Sequence, residues 1–211
     1  EAAIAEKRAI IVAAEDAMAQ IQMTEEQMQA QRDILNRPIP EAPSTGGGGQ
    51  SPLPNSGGWT LPVADAVVTT EYMSPTYQRD YGRTHPAIDV GKYEGAPMYA
   101  VADGWVILSE YHSQRGNVVA ISHNMGGTSY VSFYAHQSSV YVSRGDYVNA
   151  GTQISTMGNT GTASDGAHLH FELYQGRDDF TYNKSERERY SVNPLYYLPY
   201  QGNWTIRWDA Y

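Results

Sequence analysis

Hydrophobic and polar positions follow two different rhythms along this chain. Over residues 1–36 the apolar positions recur with heptad spacing. Ile4, Ile11, Ala14, Met18, Ile21, Met28 and Leu35 share one stripe, interrupted by Glu25 and Arg32 at two positions of the same seam. The stretch is rich in Ala, Glu and Gln, and residues 1–35 hold no Gly or Pro. It predicts an α-helical coiled-coil segment that pairs with a partner helix or with a second copy of itself. Pro38 and Pro40 end that helix, and residues 37–58 read Pro, Ser, Asn and Gly, with Gly46 to Gly49 in a row. Such a composition cannot build a core and predicts a flexible linker.

From Trp59 the pattern changes to short apolar runs between turn clusters: Val67–Thr70, Met98–Val101, Trp105–Leu108, Val118–Ile121 and Tyr130–Tyr134. No helical period of useful length follows residue 60, so residues 59–199 are expected to form a mainly β domain. Residues 200–211 are read as a C-terminal tail, in which Trp204–Trp208 suits an edge strand or a contact surface equally. The segment 176–192 carries Arg177, Asp178, Asp179, Lys184, Glu186, Arg187, Glu188 and Arg189. Charged runs of this kind are usually solvated connections, and its place after residues 168–172 makes it a candidate groove wall.

Composition narrows the function classes. With 211 residues there is room for one ordinary domain and an appendage. A formal charge of −9 argues against nucleic acid as a partner, because phosphate binding needs a basic face. No apolar run reaches the roughly 20 residues of a transmembrane helix. No signal peptide is visible, and the chain begins at Glu1, so a processed or excised fragment is expected and the missing leader says nothing of compartment. The absence of cysteine excludes disulfides, thiolate nucleophiles and Cys-based zinc sites, so any metal must use His and carboxylates. The 17 Tyr and 20 Gly suit a β domain with many turns and an open polar groove. Turn-plus-strand segments at 100–106 and 144–151 resemble those of biotinyl and lipoyl carriers. Those carriers need an exposed hairpin Lys, which neither Lys92 nor Lys184 provides.

The chemistry centres on Ala167-His168-Leu169-His170-Phe171-Glu172, which follows the turn Gly158-Asn159-Thr160-Gly161. On a strand, residues two apart face the same side, so His168 and His170 project together while Leu169 and Phe171 face a core. His85 and Asp89 stand four apart around Pro86, on a loop entering a strand. Two His nitrogens and one Asp oxygen make a first shell for zinc, with the fourth position left for water whose pKa the metal lowers. His85, Asp89 and one histidine of the pair supply that shell. The other histidine, with His136, could carry protons and stabilise a tetrahedral oxyanion.

Residues 59–199 resemble the catalytic domain of the lysostaphin/LytM-type zinc endopeptidases, which cut peptide cross-links of bacterial peptidoglycan. The likeness rests on His85-x3-Asp89, Ala102-Asp103-Gly104-Trp105-Val106, Gly116-Asn117, Ile121-Ser122-His123, Tyr134-Ala135-His136, Gly158-Asn159-Thr160-Gly161, His168-Leu169-His170-Phe171-Glu172 and Asn193-Pro194. It implies an antiparallel β-sheet half-barrel or sandwich, one Zn2+ held by His85, Asp89 and His170, and a catalytic pair His136 and His168. It implies peptidoglycan as partner and an extracellular, cell-wall or cell-surface setting, with a phage-borne or conjugative lysin as a variant. Ala87 stands where the family often has Gly, which would strain the loop if that position needed positive φ. Some coiled-coil members resemble non-catalytic activators of separate wall amidases that have lost metal ligands; here the ligand set is whole. Tyr77 and Tyr81, on the expected loop 72–81, are candidate groove residues. His123 is read as structural or groove-edge, and His112 as an exposed loop residue.

Overall fold

A computed structural model of the chain describes residues 58–200 and 203–206. The expected coiled-coil segment, the linker up to Gly57 and Trp208 lie outside them. Among the described residues no helix is long and apolar enough to cross a membrane.

Eleven strands join into one sheet. In chain order they are β1 Ala66–Thr70, β2 Ile88–Gly91, β3 Pro97–Tyr99, β4 Gly104–His112, β5 Gly116–Met125, β6 Thr128–Val140, β7 Tyr147–Val148, β8 Gln153–Met157, β9 His168–Gln175, β10 Ser191–Val192 and β11 Trp204–Ile206. The main path runs β11-β1-β2-β9-β6-β5-β4-β7, with β10 on β9 and with β8 joining β3 to β6. The expected mainly β architecture is present. The pairings are antiparallel except β1 with β11, which makes the sheet mixed. The exception is the C-terminal run around Trp204, which lies along β1 as an edge strand. Its buried indole N–H donates to the Val63 carbonyl at 2.7 Å.

Strand alternation explains the core. Leu169, Phe171 and Leu173 of β9 are fully buried on one face and meet Ile88, Val90, Val119, Ile121, Ile154 and Met157. These branched and aromatic side chains suit a pleated, buried face. The Tyr134 hydroxyl is buried in this core and accepts from the Val101 N–H at 3.0 Å, so its polar end is satisfied.

Two short helices correct the sequence expectation. Within the expected loop, α1 spans Pro75–Tyr81, with Ser74 Oγ accepting from the Tyr77 N–H and Gly82 in the left-handed region at φ 67°. Ser-Pro before and Gly after bracket one helical turn and more, a signal too short to register as periodicity. Within the charged run, α2 spans Lys184–Tyr190. That run is not simply solvated. Arg187 is buried at 7 % exposure, and Phe180 stacks on Phe133 with ring centroids 4.5 Å apart.

Candidate metal centre and active site

Register brings the chemistry together. Asp89 of β2 lies opposite His170 of β9, and Ala135 of β6 lies opposite His170 on its other side. Directly opposed residues share a face, so Asp89 and His170 point the same way from the sheet. His85 reaches them from the loop between α1 and β2. Its Nε2 lies 3.2 Å from Asp89 Oδ1 and 3.2 Å from His170 Nδ1, while His170 Nδ1 lies 3.1 Å from Asp89 Oδ1. Three lone-pair atoms at these separations match the edge, about 3.3 Å, of a tetrahedron whose corners sit about 2.0 Å from its centre, the usual zinc–nitrogen and zinc–oxygen distance. His85, Asp89 and His170 therefore form a group that can hold a metal ion. Burial alone would raise the Asp89 carboxyl, but the His85 and His170 rings outweigh it and hold it well below the usual carboxylate range. Ala87 is buried and is not among the described non-glycine residues with positive φ, so the ligand loop takes Ala without strain.

The two histidines of this group are supported differently. His85 Nδ1 is buried without a hydrogen-bond partner, and its ring rests against Tyr77 at 4.4 Å between centroids. His170 instead stands on a charged cluster. Its Nε2 lies 2.8 Å from Glu172 Oε1, which also accepts from Arg115 Nη1 at 3.1 Å and from Arg187 Nη2. Glu172 Oε2 accepts from Arg187 Nε at 3.1 Å and from the Tyr174 hydroxyl. Glu172 is fully enclosed, yet the Arg187 charge, the His170 contact and Arg115 overcome the burial that would raise it and hold it well below the usual range. A carboxylate behind a ligating imidazole fixes the tautomer and the ring orientation. Sequence reasoning missed Arg115 and Arg187. Glu172 was given no role either, although it follows His170 by two residues and so shares its face.

His136 reaches the same face by a different device. Alternation on β6 would send it to the side opposite Ala135, into the core. Its backbone instead takes φ 63°, in the left-handed region. There β6 changes partner: Tyr130–Ala135 pair with β9, whereas Gln137–Val140 pair with β8. The kink returns the ring to the site, 4.7 Å from the His168 ring and 6.0 Å from the His170 ring. His136 N–H donates to the Arg115 carbonyl at 2.8 Å, and Nδ1 lies 2.8 Å from the Thr160 carbonyl. His168 Nδ1 lies 2.8 Å from the Gly166 carbonyl, while its Nε2 stands 3.9 Å from Asp89 Oδ1. A carbonyl can only accept, so both rings carry a proton on Nδ1. Burial, reinforced by the His170 and His168 rings, pushes the His136 ring down to about 3 and keeps it neutral near pH 7.

The turn Gly158–Gly161 is what sets the Thr160 carbonyl in place. A Cβ on Gly161, at φ +86°, would come within 2.3 Å of Gly116 N, and one on Gly116 within 2.0 Å of Thr160 Oγ1. Only glycine permits this backbone-on-backbone contact. Thr160 Oγ1 then donates to the Gln137 carbonyl at 2.7 Å and accepts from the Asn117 N–H at 3.1 Å.

The remaining expected residues fall as follows. Tyr77 and Tyr81 lie on α1 with their rings 4.5 Å apart, and Tyr77 touches His85. His123 lies away from the centre. It pairs with Tyr130, which pairs with Gln175, five positions along β6 from Ala135 and so roughly 17 Å distant at strand rise. It is 2 % exposed, bonded to the Asp103 carbonyl and to Ser132 Oγ, so its groove-edge assignment gives way to the structural one. His112 is also buried rather than exposed: its Nδ1 accepts from the Gln114 and Arg115 N–H groups at 3.3 Å and shapes the β4–β5 turn.

Residues 83–183 match the model of peptidase family M23. The chain is 37 % identical over 113 residues to the lipoprotein NlpD of Yersinia enterocolitica, covering 53 % of this chain and 98 % of that sequence. The chain belongs to peptidase family M23. Its M23 domain is also similar to the murein hydrolase activator NlpD of Escherichia coli, at 39 % over 114 residues, 53 % of this chain and 25 % of that one. It is similar to the peptidoglycan DD-endopeptidase ShyA of Vibrio cholerae, at 38 % over 89 residues, 42 % of this chain and 20 % of that one. The chain therefore spans a quarter or less of these two longer relatives.

Proposed function

We propose that this M23 domain is a zinc-dependent endopeptidase that hydrolyses peptide cross-links of bacterial peptidoglycan in the cell envelope. The observation that carries the reading is the convergence of the donor triad His85, Asp89 and His170 with two further histidines, His136 and His168, each held through Nδ1 on a backbone carbonyl. A two-histidine, one-carboxylate set that leaves a position open is the donor chemistry of catalytic zinc. When bound, the ion supplies Lewis acidity and makes a water acidic near neutral pH. His136 and His168 do the remaining work. Each is oriented by its own Nδ1–H on a backbone carbonyl, so one Nε2 can take a proton from the attacking water and pass it to the leaving amine. The other can stabilise the oxyanion that develops on the scissile carbonyl once it carries a proton on Nε2 as well as on Nδ1, because an oxyanion needs a donor. Tyr77 and Tyr81 are proposed to line the groove beside His85, and residues 1–36 to present the domain through helix pairing.

A second reading makes the domain a non-catalytic regulator that activates a separate wall amidase. It is favoured by the likeness to the Escherichia coli activator. The intact set of five residues favours the enzyme. The test is digestion of chemically distinct peptidoglycans by the purified, zinc-loaded chain, with fragments identified by mass. New amine ends at one bond type, lost in His85→Ala, Asp89→Ala and His170→Ala, support the endopeptidase. Stoichiometric zinc with silence on every wall, together with stimulation of an amidase, would support the regulator.

A further inference from the structure

We propose that Arg187 is a positioning residue of the metal centre: by gripping Glu172 from the covering helix α2, it fixes the His170 ring with Nδ1 toward His85 and Asp89. The proposal rests on the reading of His85, Asp89 and His170 as a metal centre.

The argument starts from β9. His168, His170, Glu172 and Tyr174 share one face by alternation, and that face is open at the histidines but closed over Glu172 and Tyr174. What closes it is the segment 176–190, through Phe180 against Phe133 and Tyr174 and through Arg187. Arg187 spends both ends of its guanidinium on Glu172, Nη2 on Oε1 and Nε on Oε2, and its Nε also lies 3.1 Å from the Tyr174 hydroxyl. A two-point grip fixes a carboxylate in its plane, which a single ammonium contact does not. Oε1 is the atom that faces His170 Nε2 at 2.8 Å. Fixing Oε1 therefore fixes which ring nitrogen carries the proton and which is left for a metal.

The neighbouring residue of α2 reaches the other arm of the centre. Thr84 Oγ1, next to the ligand His85 in sequence, donates to Glu188 Oε1. The Tyr72 hydroxyl, on the approach to α1, meets Ser191 Oγ at 2.9 Å. One short stretch, 187–191, thus touches both sides from which the ligands arrive. The region that the charge pattern alone assigns to solvent holds the ligand geometry instead.

The experiment uses the whole chain and reads metal binding, not activity. Zinc affinity is measured by competition with a chromophoric chelator, ligand geometry by the visible spectrum of the Co2+ form, and folding by melting of the metal-free protein. Arg187→Met is expected to bind zinc at least about tenfold more weakly and to alter the cobalt spectrum. Arg187→Lys restores the charge without the two-point grip, and its affinity should fall between the two. If Arg187→Met does not fold, the double variant Glu172→Gln with Arg187→Met removes both buried charges together and should show the same loss. Zinc affinity within about twofold of wild type, with an unchanged cobalt spectrum, in either folded variant would overturn the proposal; the tenfold criterion is the usual scale of such support. A wild-type chain that binds no divalent metal would overturn the metal-centre reading beneath it, which is a different result.

Discussion

Replacing His123 by Asn should flatten the response of folding stability to mild acid. The ring is 2 % exposed, lies 2.9 Å from the Asp103 carbonyl and 2.7 Å from Ser132 Oγ, and meets the edge of Trp59 at 5.9 Å between centroids. Burial pushes it from 6.5 down to about 4, with the Asp103 carbonyl and charge pulling the other way and losing. Between those values the unfolded chain holds a proton that the folded chain refuses. The contribution is therefore complete above pH 6.5 and is lost as pH falls toward 4. A shift of this size is worth about 3 kcal/mol in full, and about 2 kcal/mol between about pH 7.5 and pH 5. That is a large share of the 5–15 kcal/mol typical of a domain. The assay is urea denaturation in EDTA across this pH range for wild type and His123→Asn. Asn keeps a donor toward the Asp103 carbonyl but loses the ring, so the variant should start about 1–3 kcal/mol less stable at neutral pH. The gap should then shrink by about 2 kcal/mol at about pH 5, because only wild type loses the His123 contribution. His136 is depressed too, but it is common to both proteins and cancels in the difference. Asp89 and Glu172, both held low, lose their contribution only as pH falls below their ordinary values of 3.8 and 4.5. A gap that stays constant across the range would refute the enclosure of the ring and return His123 to the groove.

Two further outcomes follow from the same geometry. Gly161→Ala puts a Cβ 2.3 Å from Gly116 N and 2.4 Å from the Gln114 carbonyl at a φ of +86°, so the turn must move. Denaturation of the metal-free protein should show a loss of about 2 kcal/mol or more, and equal stability would show that the contact is not tight. Zinc in about thousandfold excess over its dissociation constant should add about 4 kcal/mol, read as a higher melting temperature that EDTA reverses. Asp89→Asn and His170→Ala should abolish the zinc response, and a melting temperature indifferent to EDTA in wild type would refute the metal centre.

Much of the fold was legible because β9 is an unambiguous strand. Alternation alone places Leu169 and Phe171 in the core and the two histidines outside it. The glycines at 116, 158 and 161 were visible as motif positions, but their reasons were not, since Gly116 and Gly161 meet across some 45 residues and Gly158 packs on Ser138 of β6. The helices α1 and α2 have seven residues each, too short for a 3.6-residue period to separate from noise. His112 shows a different limit: a histidine beside polar turn residues reads as exposed, whereas its ring lies inward to receive two backbone N–H groups. Arg187 could not be found from pattern at all. Its partner stands 15 residues away, and the intervening charges are ordinary surface charges in every respect but the fold.

The placement of His136 shows why pattern reasoning stops where the chemistry begins. A regular β6 would bury this ring in the core opposite Ala135, and a regular sheet would give the site only what β2, β9 and the His85 loop supply. At His136 β6 leaves regular strand geometry. A left-handed backbone at a non-glycine position costs of order 1–3 kcal/mol and persists only when its surroundings over-determine it. Here the Arg115 carbonyl accepts the His136 N–H, the Thr160 carbonyl holds its ring, and β6 exchanges β9 for β8 as its partner at this point. The same Arg115 sends its side chain to Glu172 behind His170. One residue thus ties the strained histidine to the support of the ligand. Relaxing β6 at His136 would disturb the proposed proton carrier and, through Arg115, the ligand beside it, so the two halves of the site are held by a single stretch of backbone.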